Sequence, residues 1–379
     1  RQVERDFGGA QAGIDLAERK ERFEQHGARL VGTGTLVIRP AAWDARRRKG
    51  KRGNVMKDLA GRIAVITGGG TGMGRELARQ LVAEGCHVAM CDVSAAAMEE
   101  TRRLCVADGL PQGLRVTSFV ADVSDEAQVK AFAAAVARDH DTDRIHLLFN
   151  NAGIGGGGSM IVHERAEWER TFNICWFGVY YNTRAFLPMM LKADAGHIVN
   201  TSSINGLWAS VGPMVPHTAY SAAKFAVKGF SEALQTDLRI NAPHIRCSVV
   251  MPGHIGTSIV ANSRKIQAHT ESPEFTPREL AQMRARVASM GVDVSKLTDA
   301  DIGKMAHERA RKFLEEAPMT AAEAAKVILD GVKADRWRIL VGKDAEQIDQ
   351  LVRADPERAY DVDFFQDLAR KVGWKLGGN

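Results

Sequence analysis

The stretch from Ile63 to Gly74 reads I-A-V-I-T-G-G-G-T-G-M-G, and the rest of the chain can be interpreted outward from it. It begins with apolar and β-branched residues, changes to glycine after Thr67, and continues from Arg75 with leucines at helical spacing. This pattern predicts a strand, a tight turn and a helix. Glycines let the backbone approach a ligand closely, and the unpaired N–H groups of a helix start favour a phosphate. Glycine also occurs in ordinary turns, so the prediction of a phosphate-binding turn depends on the segments that follow.

A second apolar segment, Cys86 to Cys91, predicts a neighbouring strand that ends at Asp92. An acidic residue about 20 positions beyond a glycine-rich turn can hold the ribose hydroxyls of NAD. The alternative is a capping aspartate in an ordinary turn. Thr71 and Val93, which stand beside the two motifs, are not basic, and a carboxylate would repel the 2′-phosphate of NADP. We therefore expect NAD as the cofactor in preference to NADP.

Strand and helix patterns alternate further along the chain, with strands predicted at 114–120, 145–149 and 197–200. Ser94 and Ser124 stand where they can cap the helices that follow them. The alternation predicts an α/β fold, a Rossmann-type doubly wound parallel sheet with helices on both faces. Ligands of such sheets bind beyond the carboxyl ends of the strands. The polar residues predicted at those ends are Thr67, Asp92, Asp122 and Asn150.

The first 55 residues differ in composition from the rest of the 379-residue chain. Residues 1–57 hold 14 Lys and Arg against 7 Asp and Glu, with a basic cluster at 46–52, so the net charge of +5 originates there. A nucleic-acid or membrane arm is one interpretation. The acidic residues argue against a mitochondrial transit peptide. We expect 1–55 to be a disordered basic extension, with the compact domain at 56–379 and no nucleic-acid partner.

The composition is that of an ordinary globular protein, with 45% hydrophobic and 26% charged residues. No apolar run reaches the roughly 20 residues that a membrane crossing needs, so no membrane association is expected. The five cysteines are odd in number and form no C-x-x-C pair. Reduced, buried thiols in a cytoplasmic protein are the simplest interpretation.

Two further segments carry groups suited to catalysis. A predicted strand runs into Thr201-Ser202-Ser203, and Tyr220 and Lys224 lie four residues apart, on one face of a predicted helix. An unperturbed tyrosine has a pKa of about 10, and a nearby ammonium lowers that pKa by stabilising the phenolate. Tyr220 could then exchange a proton with a hydroxyl or carbonyl oxygen of a substrate.

Taken in order, these motifs resemble those of the short-chain dehydrogenase/reductase family over about residues 58–257, with a weaker continuation to about 342. The matching segments are T-G-G-G-T-G-M-G at 67–74, Asp92, Asp122-Val123, N-N-A-G at 150–153, Asn173, Ser203, Y-S-A-A-K at 220–224 and P-G-H-I-G-T at 252–257. The resemblance implies a nicotinamide-dependent oxidoreductase with Tyr220 as general acid/base. Lys224 would hold the nicotinamide ribose, and Ser203 would hydrogen-bond the reacting oxygen. Asn173 would hold a water that connects Lys224 to solvent.

The catalytic set implied by the resemblance is therefore Asn173, Ser203, Tyr220 and Lys224, with no metal. The cofactor-binding residues that it implies are Gly68, Thr71, Gly72, Met73, Gly74, Asp92, Asp122, Val123, Asn150, Ala152, Gly153, Tyr220, Lys224, Pro252, Gly253, Ile255 and Thr257. By the same resemblance Asp122 and Val123 face the adenine, Asn150 and Gly153 the ribose side, and Ile255 with Thr257 the carboxamide.

The roles of Asn173 and of the two serines have alternative interpretations. Asn173 lies among apolar residues and could instead satisfy buried backbone groups. Ser202 and Ser203 are adjacent, so one of them is expected to be structural, and the family pattern favours Ser203 as the catalytic one.

The loop from Ser203 to Tyr220 is longer than is usual in the family, which indicates an altered substrate wall. His217 and His254 lie near the expected pocket, and we leave both out of the catalytic set because loop histidines are commonly solvated.

The segment 258–318 is longer than the variable lid of the family. Thr276 and Thr298 predict the starts of two helices, each with an apolar stripe, and methionines on these stripes suit an apolar substrate. We therefore expect a helical substrate lid, followed by a polar helical C-terminal tail at 344–379 that could pack on a neighbouring subunit. By resemblance we expect a homodimer or homotetramer.

The sequence thus predicts an NAD-dependent oxidoreductase that interconverts a small-molecule secondary alcohol and a ketone. The alternative is a catalytically silent nucleotide-binding regulatory or scaffold protein of the same fold.

Overall fold

The computed structural model describes residues 56–212, 215–270, 272–289 and 291–372. The predicted basic extension at 1–55 lies outside the described residues. Nine strands occur in the described part of the chain: β1 (Ile63–Thr67), β2 (His87–Asp92), β3 (Val116–Val120), β4 (Leu147–Asn150), β5 (Gly196–Thr201), β6 (Ile245–Pro252), β7 (Ile255–Gly256), β8 (Met319–Thr320) and β9 (Arg338–Val341). Seven of them form one sheet in the order β3-β2-β1-β4-β5-β6-β9 with every neighbouring pair parallel, and β7 pairs with β8.

Helices connect the strands. Those described are α1 (Gly72–Ala83), α2 (Ala95–Ala107), α3 (Glu126–Asp139), α4 (Arg165–Phe172), α5 (Gly178–Met190), α6 (Thr218–Asn241), α7 (Ile259–Ala268), α8 (Pro277–Ser289), α9 (Asp299–Glu315), α10 (Ala321–Lys333), α11 (Lys343–Ala354) and α12 (Val362–Val372). A π-helical segment, Asn173–Phe177, joins α4 to α5. Among the described helices, none combines the length and the apolar character that a membrane crossing requires.

The sheet is covered on both faces, because alternate residues along each strand point to opposite sides. One apolar cluster joins Ile66 of β1 to α1 and α10 through Leu77 and Ile328. The other joins Val65 of β1 to α3 and α5 through Phe132 and Phe186. The predicted doubly wound parallel sheet is therefore confirmed. It brings the carboxyl ends of β1, β2, β4, β5 and β6 to one edge, where a site can form.

The predicted cap at Ser94 is confirmed, since its hydroxyl accepts a hydrogen bond from the Ala97 N–H at 3.2 Å. The cap predicted at Ser124 is wrong by one residue. Asp125 caps α3 by accepting from the N–H groups of Ala127 at 2.8 Å and Gln128 at 3.2 Å, whereas Ser124 donates its hydroxyl to Asp122 at 2.7 Å. Serine and aspartate can both cap a helix. Because the Ser124 hydroxyl is bonded to Asp122, Asp125 is the residue that caps α3.

The C-terminal helices differ from the polar tail predicted for 344–379. Apolar residues recur at helical spacing in α11 and α12, and they form a third buried cluster with the loop that follows β5. Trp208 of that loop is fully buried, stacks on Phe365 of α12 at 5.8 Å between ring centroids, and donates its indole N–H to the carbonyl oxygen of Ala359 at 2.6 Å. The described part of the tail therefore packs on its own chain, beside the loop that carries Ser203.

Candidate active site

The glycine-rich turn after β1 needs glycine at three of its positions. Gly68 and Gly72 have φ angles of +67° and +54°, which favour glycine over other residues. Gly74 has ordinary dihedral angles, but a Cβ there would overlap the carbonyl oxygen of Gly68. The first turn of α1 can therefore approach the end of β1 closely enough to form a compact cradle.

The start of α1 fits a phosphate group. Thr71 occupies the N-cap position with an extended backbone and makes no capping hydrogen bond, and the first turn contains no acidic residue. The backbone N–H groups at this end are thus left for a ligand, and the helix dipole favours a negative one. Met73 packs against the apolar cluster beneath the helix, and a Cβ on Gly72 would lie 3.1 Å from the Thr257 side chain. Thr257 therefore faces the turn from the opposite side.

The side chains of Arg75 and Thr101 bind the backbone of the glycine-rich turn. Neither residue was predicted from the sequence to belong to the site. The Arg75 guanidinium donates to the carbonyl oxygen of Gly70 at 2.6 Å and to the Thr101 hydroxyl oxygen at 3.2 Å. Thr101 is fully buried and donates its hydroxyl to the carbonyl oxygen of Gly69 at 2.9 Å. These bonds from α1 and α2 fix the backbone of the turn.

Asp92 lies at the end of β2, beside the same turn. One carboxylate oxygen accepts a hydrogen bond from the N–H of Gly70 at 3.0 Å, and the other accepts from the N–H of Ser94 at 3.1 Å. Val93, which follows it, is exposed. The carboxylate thus stands next to the turn that fits a phosphate, with no basic residue directly after it in the chain.

Thr67 ties the end of β1 to the loop after β4. Its hydroxyl oxygen accepts hydrogen bonds from the N–H groups of Asn151 and Ala152, both at 3.0 Å. Gly153 continues this loop, and a Cβ there would lie 3.4 Å from the ammonium nitrogen of Lys224. The N-N-A-G segment therefore runs from the glycine-rich turn towards Lys224 of α6.

The Asn150 side chain is committed to the protein interior. Its amide nitrogen donates to Asn200 at 2.8 Å and to the Thr183 hydroxyl oxygen at 3.1 Å, and Asn200 donates in turn to Ser231 at 2.9 Å. This buried polar chain joins β4, β5, α5 and α6 beneath the site. Any contact of Asn150 with a cofactor would thus come from its backbone.

Asp122 and Val123 follow β3. Asp122 accepts hydrogen bonds from the N–H and hydroxyl of Ser124, and its own N–H donates to the side-chain oxygen of Gln128 at 2.9 Å. Val123 is buried, and a Cβ on Gly178 would overlap its side chain. Their backbones line the same edge of the sheet as Asp92.

Ser203, Tyr220 and Lys224 come together at the ends of β5 and α6. Lys224 is buried; its ammonium donates to the carbonyl oxygen of Thr201 at 2.9 Å and lies 5.3 Å from the centroid of the Tyr220 ring. Burial raises the pKa of Tyr220, whereas the charge of Lys224 and the hydroxyl of Ser203 lower it. Of the groups beside the phenol, Lys224 and Ser203 favour its ionised form and Cys175 opposes it, and with burial included the pKa lies above its usual value.

The two adjacent serines have separate environments. The Ser202 hydroxyl donates to the carbonyl oxygen of Lys224 at 2.7 Å and is fully buried. The Ser203 hydroxyl accepts from the N–H of Asn205 at 3.1 Å and faces Tyr220. Ser202 thus fixes the helix to the strand, and Ser203 is the serine beside the phenol.

Asn173 lies where the helical hydrogen-bond pattern changes. The carbonyl oxygen of Asn173 accepts from the N–H of Gly178, five residues later, as the segment Asn173–Phe177 widens into a π-helix. Single π-helical turns of this kind are frequent at functional sites. The widened turn lies between α4 and α5, in contact with α6, the helix that carries Tyr220 and Lys224.

The P-G-H-I-G-T segment is held by the C-terminal part of the chain. The N–H of Gly253, just beyond Pro252, donates to Val341 at 2.9 Å, and a Cβ on Gly253 would overlap the Asp344 carboxylate. Asp344 is buried and accepts from the N–H of His254 at 2.7 Å. Ile255 is buried in β7, where it pairs with Met319. The role of Asp344 was not predicted from the sequence, because nothing in the pattern of its helix indicates a contact with a residue 90 positions away.

The first helix after this segment crosses the site. Asn262 of α7 donates to the Thr71 hydroxyl oxygen at 3.0 Å, and Ser263 accepts from the N–H of Gly155 at 2.8 Å. Gln267 donates to the Thr171 hydroxyl oxygen at 2.8 Å. Helix α7 is thus bonded to the glycine-rich turn on one side and to the loop after β4 and α4 on the other.

Comparison with known proteins gives consistent matches. A model of the short chain dehydrogenase family matches residues 62–268. SadH of Mycobacterium tuberculosis, which is named as an oxidoreductase, is 33% identical over 300 residues, 79% of this chain and 92% of SadH. Levodione reductase of Leifsonia aquatica is 34% identical over 223 residues, 59% of this chain and 79% of that protein.

Among solved structures, a short-chain dehydrogenase/reductase from Burkholderia phymatum in complex with NAD is similar, with a TM-score of 0.63 and 28% identity, over 79% of this chain and 95% of that chain. A levodione reductase structure has a TM-score of 0.55 at 28% identity, over 76% of this chain and 99% of that one.

Proposed function

The chain belongs to the short-chain dehydrogenase/reductase family, and on this premise we propose that it is an NAD-dependent oxidoreductase that interconverts a secondary alcohol and a ketone. The observation that carries the proposal is the grouping of Ser203, Tyr220 and Lys224 at the edge of the sheet that also holds the glycine-rich turn. A bound nicotinamide dinucleotide would supply or accept the hydride there.

Tyr220 exchanges the proton. In alcohol oxidation its phenolate accepts the hydroxyl proton of the substrate, and in ketone reduction the phenol returns it to the carbonyl oxygen. An ordinary phenol is protonated at neutral pH, and burial raises the pKa of Tyr220 further. Lys224 and Ser203 oppose that effect by favouring the phenolate.

Ser203 and Lys224 have distinct tasks. The Ser203 hydroxyl, next to Tyr220, orients the reacting oxygen by a hydrogen bond. Lys224 is held by the carbonyl of Thr201, so its charge stays close to the phenol, and its remaining N–H groups are free for a ribose hydroxyl of the cofactor. Asn173, at the start of the π-helical segment, is proposed to hold the water that connects Lys224 to solvent.

The glycine-rich turn and Asp92 support NAD as the cofactor. The uncapped start of α1 would hold the pyrophosphate, and the carboxylate of Asp92 would accept hydrogen bonds from the adenosine ribose. The same carboxylate would repel a 2′-phosphate, which supports NAD over NADP. The relative from Burkholderia phymatum was solved with NAD.

The test is turnover with secondary alcohols and NAD, followed as NADH absorbance, for the unmodified protein and for Tyr220→Phe. We expect Tyr220→Phe to bind NADH normally but to lose turnover by at least about a hundredfold, since general acid–base catalysis contributes about that much or more. Tyr180→Phe, a partly exposed tyrosine on α5, is the matched control and should keep its activity. Full turnover by Tyr220→Phe would overturn the proposal.

A further inference from the structure

His254 is held by two separate parts of the chain. Its backbone N–H donates to the Asp344 carboxylate at 2.7 Å, and its ring nitrogen Nε2 lies 2.8 Å from the carbonyl oxygen of Phe313. A carbonyl oxygen only accepts hydrogen bonds, so Nε2 carries a proton and donates. The residue is half-buried. His254 is therefore bonded on two sides instead of solvated, and it joins the P-G-H-I-G-T loop to the lid.

The contact with the lid is made at the C-terminal end of α9, the last lid helix. Phe313 lies in the final turn of this helix, where carbonyl oxygens lack partners within the helix. A histidine suits such an oxygen because it supplies an N–H at the negative end of the helix dipole. The rings of His254 and Phe313 also pack together, with 4.3 Å between their centroids. A hydrogen bond and a ring contact thus both fix the end of α9 to the loop.

Gly256, two residues further along the loop, lets the same helix end come close. A Cβ on Gly256 would lie 2.6 Å from the carbonyl oxygen of Leu314, which is too close for a side chain. Beyond the helix the chain runs alongside the loop, because Met319 and Thr320 of β8 pair with Ile255 and Gly256 of β7. The lid therefore ends against the loop from which it starts.

The lid also reaches the opposite end of the cofactor site. Helix α9 packs against α7 and α8, and Asn262 of α7 is bonded to Thr71 of the glycine-rich turn. The P-G-H-I-G-T loop faces that turn, since a Cβ on Gly72 would lie 3.1 Å from the Thr257 side chain. A shift of the lid would thus act on the turn through Asn262 and on the loop through His254.

We propose that His254 is a positioning residue that couples the lid to the nicotinamide end of the cofactor site. This rests on the function proposed above and on the carboxamide contacts expected for Ile255 and Thr257. Asp344 and Val341 hold the loop by its backbone, on the side of the C-terminal helices, whereas the His254 ring holds it on the side of the lid. Without the ring's hydrogen bond, the loop would keep its backbone contacts but hold the nicotinamide less firmly.

The experiment compares NADH with ADP-ribose, which keeps the adenosine and the pyrophosphate but lacks the nicotinamide. Both are titrated by calorimetry into the unmodified full chain and into His254→Phe. This variant keeps an aromatic ring beside Phe313 but loses the N–H donor, so NADH should bind about three- to tenfold more weakly. ADP-ribose should keep its affinity. His254→Gln, whose amide can still donate to the Phe313 carbonyl oxygen, should restore most of the NADH affinity.

Two further variants complete the comparison. Phe313→Ala changes the contact from the lid side and should weaken NADH by at least about twofold, without an effect on ADP-ribose. His307→Phe is the matched control, because His307 lies on the same helix and its ring packs 4.8 Å from that of Phe275, within the lid. This control should bind both nucleotides as the unmodified protein does.

A selective loss of NADH affinity in His254→Phe and Phe313→Ala supports the coupling. Unchanged NADH affinity in both variants, or an equal loss for NADH and ADP-ribose, would overturn it. If His254→Phe does not fold, Phe313→Ala decides alone. An unmodified protein that binds NADH, with variants that show no selective loss, loses only the coupling. An unmodified protein that binds neither nucleotide loses the proposed function, and the coupling with it.

Discussion

The side-chain amide of Asn262 donates a hydrogen bond to the hydroxyl oxygen of Thr71 at 3.0 Å, and this bond joins the first lid helix to the glycine-rich turn. The two residues are 191 positions apart in the chain. Because Thr71 begins the turn that we propose holds the cofactor pyrophosphate, we expect this bond to link the position of the lid to cofactor retention.

Asn262→Ala should therefore weaken NADH binding by about three- to tenfold, the effect of one lost hydrogen bond of roughly 1 kcal/mol. The loss should appear as faster NADH dissociation in stopped-flow fluorescence. Asn241→Ala, at the exposed end of α6, is the control and should dissociate NADH at the original rate. An unchanged dissociation rate in Asn262→Ala would show that the bond has no part in holding the lid.

The pH dependence of alcohol oxidation should report the ionisation of Tyr220. Oxidation needs the phenolate, so kcat/KM should rise with pH through the pKa of Tyr220. The charge of Lys224 lowers that pKa. Lys224→Met should consequently move the rising limb to higher pH by at least about one unit. If kcat/KM of Lys224→Met rises at the same pH as that of the unmodified protein, even with a lower maximum, Lys224 does not set the pKa of the phenol.

Asp344 should matter for the stability of the protein. Its buried carboxylate accepts from the N–H groups of His254 at 2.7 Å and Ala345 at 2.9 Å. In Asp344→Asn an amide nitrogen would face one of these donors, at a cost of about 1–3 kcal/mol in the free energy of unfolding. Urea denaturation measures the loss, and Glu346→Gln, exposed on the same helix, provides the comparison. Equal stability of the two variants would contradict this account of the loop.

Several buried histidines should make the protein sensitive to acid. Burial lowers the pKa of His197 to about 3 and that of His146 to about 4, below the usual value of about 6.5. Between about pH 6.5 and the pKa of each folded histidine, the unfolded chain therefore binds more protons than the folded one. The free energy of unfolding falls as the pH decreases through this range. Each such histidine contributes about 1.4 kcal/mol per pH unit, and the loss ends near the pKa of the folded state.

His197→Asn tests this effect. The Ser248 hydroxyl donates to the carbonyl oxygen of Arg336 at 2.6 Å, so it accepts from Nε2 of His197 at 2.7 Å, as a neutral imidazole allows. The variant should lose less stability than the unmodified protein between about pH 6 and pH 5, by about 1 kcal/mol. Exposed His269→Asn should follow the unmodified protein. The same pH slope in His197→Asn and the unmodified protein would contradict the argument.

Local features of the fold and site could be predicted from the sequence. The glycine-rich turn, the acid at the end of β2 and the Tyr220–Lys224 pair are encoded by short spacings, and they identified the sheet type and the family. Contacts between distant segments could not be predicted in this way. The contacts of Asp344, and those of Arg75 with Thr101, each depend on which helix packs on which loop. The capping choice between Ser124 and Asp125 was missed because both residue types satisfy the same pattern.

The most direct test of the central claim is a fluorescence titration of the purified protein with NADH and, separately, with NADPH. The account predicts saturable NADH binding and clearly weaker NADPH binding, because the glycine-rich turn accepts both pyrophosphates while Asp92 repels the additional phosphate. Equal or tighter binding of NADPH would contradict the role of Asp92, and binding of neither nucleotide would contradict the proposed function as a whole.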